Sequence, residues 1–205
     1  MTTFCKNYND IAWYGGVDFI FCRQKTLTDT RFCYIMENNN KEIGGEGMKL
    51  YIKQHIFTFG DRFSVYNESG EEVFFVEGEV FTFGKKLHLL DRGGRELAFI
   101  RQKLMSFLPR YIISRGEREV AEVVKQFTLF RHEYSVEGLG WHVSGDFFDH
   151  EYSICSGERE IARVSKEWFT WGDAYAIDIG SGEDAVNVLA VVLIIDAVLD
   201  AEDNG

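Results

Sequence analysis

Apolar and polar residues alternate in short triplets along most of the chain, each with an apolar or aromatic residue, one spacer and a second apolar residue. Six triplets recur, most of them 23 or 24 residues apart, and they begin at Phe63, Leu87, Tyr111, Tyr134, Tyr152 and Tyr175. Alternation with a period of two is typical of a strand, because successive side chains point to opposite faces. The triplets therefore predict a repeated β structure.

A second apolar block stands before most of these triplets, and turn-forming residues such as Gly60, Gly84, Pro109 and Gly172 separate the two. The second blocks are residues 57–59, 81–83, 105–107, 127–129 and 169–171. Two strands and two turns in each of six repeats predict about a dozen short antiparallel strands. So many strands usually close into a barrel or split into a sandwich.

The last segment breaks the pattern and predicts a helix over residues 183–202, with Ser181 and Asp184 resembling a capping box at its start. Between Ala185 and Leu199 only Asn187 and Asp196 are polar. A helix that is apolar on every side must be buried on every side, and a barrel of twelve strands is wide enough to hold one. We expect a mainly β fold with the helix threaded through the barrel. A membrane anchor is the alternative, which the short run and Asp196 disfavour.

Residues 1–47 lack this periodicity and contain an asparagine run at 38–40 and a glycine-rich stretch at 44–47. The sequence predicts two parts, an N-terminal extension at 1–47 and a domain at 48–205. Two interpretations of the extension remain open. The codons of Gly44-Gly45-Glu46 can resemble a bacterial ribosome-binding sequence, which would make Met48 the natural start. The rival interpretation is a genuine small segment that packs on the domain.

From Met48 to about Asp203 the chain resembles the LURP-one-related family, including its bacterial YxjI-type members. The resemblance rests on short strings in a fixed order, among them residues 51–54, 59–63, 102–104, 108–109, 140–147, 168–173 and 194–200. It implies the tubby-like fold, a twelve-stranded antiparallel barrel around a hydrophobic C-terminal helix. No activity is established for the bacterial members. Tubby proteins bind membrane phosphoinositides through a basic pocket, and the related scramblases act at membranes.

The chain carries 22 basic and 33 acidic residues, a net charge of −11 that disfavours nucleic acid as a partner. One stretch departs from this balance, because residues 85–118 hold nine cations against three carboxylates, a local charge of +6. The cations are Lys85, Lys86, Arg92, Arg95, Arg101, Lys103, Arg110, Arg115 and Arg118. They form either a site for an anionic headgroup or a solvated strip that pairs with acidic neighbours. Lys85, Lys86, Arg110 and Arg115 flank turns, so we expect them to converge on one end of the barrel.

Candidate motifs for catalysis are weak. Residues 180–185 match G-x-G-x-x-A, but no second parallel strand follows and Glu183 and Asp184 would repel a pyrophosphate, so we interpret them as a helix cap. The five histidines show no metal-ligand spacing, and His150-Glu151 is interpreted as part of a solvated acidic turn. Cys155 is assigned to packing. The sequence therefore predicts no catalytic residue, metal or cofactor.

We expect a non-catalytic tubby-like module that binds an anionic phospholipid headgroup or a membrane surface. The alternative is a protein-interaction or scaffold module with no role in lipid binding. Residues 1–20 show no secretory signal, and the four cysteines fit neither a disulfide framework nor a zinc site. A cytoplasmic location follows as the expectation, with peripheral attachment to a membrane under the first hypothesis.

Overall fold

The computed structural model describes residues 11–14, 17–20, 47–53, 62–79, 82–126, 133–169 and 172–203. The chain divides into two compact units, Met1–Gly45 and Glu46–Gly205. In the first unit, β1 (Ile11–Tyr14) and β2 (Val17–Ile20) pair in an antiparallel two-stranded sheet.

The second unit is a closed barrel of twelve antiparallel strands, followed by one helix. The first six strands are β3 (Met48–Lys53), β4 (Arg62–Asn67), β5 (Glu72–Gly78), β6 (Lys86–Asp91), β7 (Glu96–Gln102) and β8 (Arg110–Arg115). The next six are β9 (Arg118–Lys125), β10 (Glu133–Glu137), β11 (Trp141–Asp146), β12 (Glu151–Ser156), β13 (Arg159–Phe169) and β14 (Gly172–Ile179). Neighbours in sequence are neighbours in the barrel, and β14 pairs with β3 while β9 pairs with β10. The predicted twelve-stranded barrel is confirmed.

The six triplets occupy the even-numbered strands β4 to β14, and the first and third residue of each triplet are buried. Tyr111 and Ile113 in β8, for example, are 2% and 0% exposed. In β4, β6, β8 and β12 the pairing register shifts directly after the third residue of the triplet. Such β-bulges increase strand twist and bend, which a closed barrel needs.

The described residues of the second apolar blocks at 81–83 and 105–107 do not form strands, so this part of the prediction is wrong there, whereas Phe169 of the last block ends β13. Residues 105–107 lie in the loop between β7 and β8, and Phe83 lies in the loop between β5 and β6. The strands that pair with the triplets come from other segments, such as β7 for β6. Three residues with a turn former close by are too few to hold a ladder. The blocks at 57–59 and 127–129, and most of the block at 169–171, lie outside the described residues.

Helix α1 (Ala185–Asp203) fills the barrel, as the sequence predicts. Its residues 188–195 are fully buried, and they share one apolar core with inward-facing side chains from all twelve strands. The cap differs from the prediction, because Asp184 rather than Ser181 accepts hydrogen bonds from the amides of Val186 and Asn187 at 3.0 and 3.1 Å. A carboxylate at this position also suits the positive end of the helix dipole.

We predict that Leu193→Ala destabilises the domain by about 2–5 kcal/mol, because it removes a fully buried side chain from the centre of α1 and leaves a cavity. Leu104→Ala is the matched control, since Leu104 is 51% exposed, and should change the free energy of unfolding by about 0.5 kcal/mol or less. Urea unfolding measures both variants. Equal destabilisation would contradict the central position of α1.

Candidate functional site

The barrel has two distinct ends. The chain enters α1 beside the start of β13, where the amide of Gly180 donates to the carbonyl of Ile161 at 2.9 Å. The C-terminal part of α1 emerges at the opposite end, where Lys85 meets Asp200. We call these the entry end and the exit end. Since the strands alternate in direction, the loops that follow odd-numbered strands lie at the exit end.

The nine cations of the sequence analysis are divided between the two ends. The exit end holds Lys85, Lys86, Arg101, Lys103 and Arg110, whereas the entry end holds Arg92, Arg95, Arg115 and Arg118. The expected convergence is therefore wrong for Arg115, because it ends β8 while Arg110 begins it. Every one of the nine except Arg118 has a carboxylate oxygen within 3.2 Å among the described residues.

One of these cations, Lys85, fixes the helix rather than facing solvent as a candidate ligand, and Lys125, which lies outside the nine, does the same. At the exit end Lys85 binds Asp200 at 2.9 Å, and the buried Lys125 binds Glu202. Both carboxylates lie in the last turn of α1, where the helix dipole disfavours negative charge and the lysines offset it.

At the entry end the loop that leads into α1 is held in the same way. Arg115 binds Asp184 at 3.0 Å and lies 3.4 Å from the side-chain oxygen of Asn187, while Arg159 binds Glu183. The barrel wall therefore contacts both ends of α1 through ion pairs.

Four remaining cations lie together on the outer face at the exit end, and we call them the cationic strip: Lys86, Arg101, Lys103 and Arg110. Lys86 is opposite Arg101 in the β6–β7 ladder, and the amide of Lys103 donates to the carbonyl of Arg110 at 2.8 Å. Leu87, Ile100 and Tyr111, the strand neighbours of Lys86, Arg101 and Arg110, face inward, so these three charged side chains point outward. The side chain of Lys103, directly after β7, is 46% exposed. The strip thus spans three adjacent strands.

Three carboxylates pair with the four cations of the strip. Lys86 binds Glu79 at 2.8 Å and Arg101 binds Glu119 at 2.6 Å. Glu122 is shared, with Lys103 and Arg110 each 3.2 Å from it. Burial acts to raise the pKa of Glu122, but the hydrogen bonds from Arg110 and Lys103 outweigh it and hold the pKa below its usual value.

His88 adjoins the strip on β6 and lies between two carboxylates. Its ring nitrogens are 2.6 Å from Glu96 and 3.0 Å from Glu79. Burial acts to lower the pKa of His88, whereas the hydrogen bonds that its ring donates to Glu96 and Glu79 favour the charged form and raise the pKa overall. Protonated His88 would add a further positive charge beside the strip.

Exposed apolar side chains lie directly beyond the strip, at the tips of two exit-end loops. We call Phe83, Leu104, Met105 and Phe107 the apolar rim, and Phe83 and Phe107 are 92% and 99% exposed. The loops are in contact, because a Cβ at Gly84 would lie 2.8 Å from the Leu104 side chain, and the backbone of Gly84 has a φ of +78°. A glycine is therefore required where the two loops meet.

Inside the barrel, beside the exit end, a buried polar cluster surrounds Asp196 of α1. The Tyr175 hydroxyl donates to one oxygen of Asp196, and Nε2 of His150 lies 3.6 Å from the other. The His150 ring stacks on Tyr175 with a centroid distance of 4.5 Å. Burial raises the pKa of Tyr175 well above its usual value, and the negative charge of Asp196 raises it further. Asp196 thus remains buried in α1 with two side-chain partners from the barrel.

The interpretation of His150 as part of a solvated turn is wrong. The residue has a φ of +54° in the turn between β11 and β12, and its side chain points inward and is only 12% exposed. Sequence reasoning missed it because its partner Asp196 is distant along the chain and no local pattern joins them. The isolated Asp196 within an apolar run was the only signal available.

Two kinds of reactive group, metal-ligand clusters and activated thiols, can be assessed in the described residues. The described residues contain no cluster of three or more His, Cys, Asp or Glu side chains arranged to bind a metal. Burial raises the pKa of the Cys155 thiol and Glu160 adds to the effect, so the reactive thiolate is disfavoured. In the part of the chain that is described, no helix has the length and hydropathy needed to cross a membrane.

We predict that Tyr175→Phe destabilises the domain by about 1–3 kcal/mol, because Asp196 then loses its buried donor. Tyr134→Phe is the control. Its hydroxyl is buried with no hydrogen-bond partner among the described residues, so removing it should be neutral or slightly stabilising. Chemical denaturation distinguishes the two, and an equal loss would contradict the assigned hydrogen bond.

The ion pairs of His88 predict a pH dependence of stability. The pKa of His88 is higher in the folded protein than its ordinary value of 6.5, so the pairs stabilise the fold fully below that value. Their contribution disappears as the pH rises through the raised folded pKa. Unfolding measured across this window should show the loss, and His88→Gln should abolish it. A titration of His88 below 6.5 by NMR would contradict the assignment.

Comparison with known proteins gives a consistent family assignment. The family model described as LURP-one-related matches residues 48–196. The chain is 40% identical over 152 residues to the protein named "Uncharacterized protein YxjI" from Bacillus subtilis (strain 168). The matched region is 74% of this chain and 94% of that protein.

A solved structure agrees on the fold. The X-ray structure of a protein from Arabidopsis thaliana superposes with a TM-score of 0.54 at 18% identity, covering 74% of this chain and 91% of that one. At this identity the likeness concerns the fold alone. On the family match and the bacterial relative, the chain belongs to the LURP-one-related family.

Proposed function

We propose that the domain is a non-catalytic module that binds the anionic surface of a phospholipid membrane through the cationic strip. The observation that supports this is the position of three outward-facing cations on adjacent strands at the exit end, with Lys103 directly after the middle strand, in a chain whose net charge is −11. A membrane surface attracts such a strip with about 1 kcal/mol for each Lys or Arg close to it.

The carboxylate partners of the cationic strip do not prevent the strip from binding lipid phosphates. The side chains of Arg101, Lys103 and Arg110 are 39%, 46% and 37% exposed, so all three cations are accessible, and Glu119 is exposed as well, although Glu122 is only 23% exposed. Exposed ion pairs contribute only about 0–1 kcal/mol. Lipid phosphates can therefore replace the carboxylates as partners at small cost.

Vesicle sedimentation tests the proposal with a matched pair of variants. Arg101→Gln/Lys103→Gln/Arg110→Gln removes three charges from the strip, while Arg92→Gln/Arg95→Gln/Arg118→Gln removes three from the entry end. The first variant should lose affinity for phosphatidylserine-containing vesicles by about tenfold or more, since it forfeits up to about 3 kcal/mol of attraction. The second should bind as the wild type does.

Two controls make the result decisive. Vesicles of phosphatidylcholine alone should bind weakly at every salt concentration, and binding to anionic vesicles should weaken as salt is added. Thermal unfolding of both variants should confirm that each is folded. Equal binding by the two variants, or no binding of the wild type at low salt, would refute the proposal.

A protein-interaction module is the second candidate, and the division of the nine cations between both ends favours it. Arg95 is 78% exposed and Arg118 is exposed at the entry end, far from the strip. A protein partner on that end would be lost in the entry-end variant and retained in the strip variant, which is the reverse of the membrane result.

A further inference from the structure

The large apolar side chains that remain exposed are concentrated at one end of the barrel. In the part of the chain that the structure describes they are Met48, Phe83, Leu104, Met105, Phe107 and Phe148. All except Met48 lie in exit-end loops, on the same rim of the barrel. Single exposed apolar residues need no explanation, but a contiguous apolar patch marks a site of interaction.

The loops of the apolar rim are held in shape by the polypeptide itself. The amide of Lys103 donates to the carbonyl of Arg110 at 2.8 Å and closes the base of the β7–β8 loop, and the Ser106 hydroxyl donates to the carbonyl of Lys103 at 3.1 Å. In the β5–β6 loop the Thr82 hydroxyl donates to the carbonyl of Gly84 at 2.9 Å. The described residues of both loops therefore hold the apolar side chains toward solvent through local hydrogen bonds.

The order of apolar and charged groups along the barrel axis indicates what covers the rim. Met105 and Phe107 lie in the middle of the β7–β8 loop with fully exposed side chains, and Lys103 and Arg110 lie at the two ends of the same loop. A bilayer has the matching order, with acyl chains at depth and phosphates above them. Amphipathic elements that lie in the membrane interface combine these two kinds of side chain in the same way.

We infer that the apolar rim inserts into the acyl layer of an anionic bilayer, so that the barrel stands on the membrane with its exit end down. This inference rests on the proposed function, since the cationic strip supplies the attraction that brings the rim to the surface. It adds that hydrophobic contact, which salt does not screen, holds the protein there.

Fluorescence quenching tests the insertion. Phe107→Trp and Phe83→Trp place an indole on the rim, and Met48→Trp is the control because Met48 is 47% exposed at the entry end. With vesicles of phosphatidylserine and phosphatidylcholine brominated on the acyl chains, the quenching of each variant is measured in excess of the wild type. Both rim probes should be quenched, and the Met48→Trp probe should not.

A second variant separates insertion from attraction. Phe83→Ser/Phe107→Ser should reduce binding to anionic vesicles at high salt by about tenfold or more, whereas binding at low salt persists through the strip. Thermal unfolding should be unchanged, because both phenylalanines are exposed.

The outcomes are distinguishable. Sedimentation of the wild type with anionic vesicles, together with quenching of the Phe83→Trp and Phe107→Trp probes no greater than that of the control, would overturn the insertion and leave the proposed function intact. Wild type that does not bind anionic vesicles at low salt would overturn both. Self-association in lipid-free solution that the Phe83→Ser/Phe107→Ser variant abolishes would instead identify the rim as an interface between copies of this chain, and would also overturn the inference.

Discussion

The structure depends on the burial of one helix that has no polar face. The residues of α1 between Val188 and Leu199 are buried on all sides, and only a closed wall can supply that environment in water. The twelve strands form the wall, and each contributes at least one side chain to the shared core. Closure also leaves the barrel without an open sheet edge, so each strand pairs on both sides while the helix fills the interior.

The polar groups that the helix carries determine what the barrel places at its two ends. Asp196, Asp200 and Glu202 lie on the part of α1 near the exit end, and they draw His150, Lys85 and Lys125 inward. Arg115 and Arg159 hold the acidic loop at the other end. The basic stretch of the sequence therefore serves two purposes. Some of its cations fix the helix, and the cationic strip remains on the outer face beside the apolar rim.

The fold could be predicted from the sequence to a large extent, because strand alternation and an apolar helix are local signals. Each triplet marks an even-numbered strand, and the inward positions of residues such as Tyr111 and Ile113 follow directly from the period of two. The odd-numbered strands were not predictable in the same way, and residues 105–107 imitate a strand while forming a loop. The pairs His150–Asp196 and Lys85–Asp200 join distant parts of the chain. Only the closed barrel brings these residues together, so no spacing in the sequence indicates the two pairs.

Native-state hydrogen exchange tests the central claim most directly, namely that α1 is enclosed by the barrel. The amides of residues 188–199 should exchange only when the whole domain unfolds, with the same free energy as the slowest amides of strands such as β8 and β12. Exchange of these helix amides through a local opening, at a free energy clearly below that of the strands, would contradict the account.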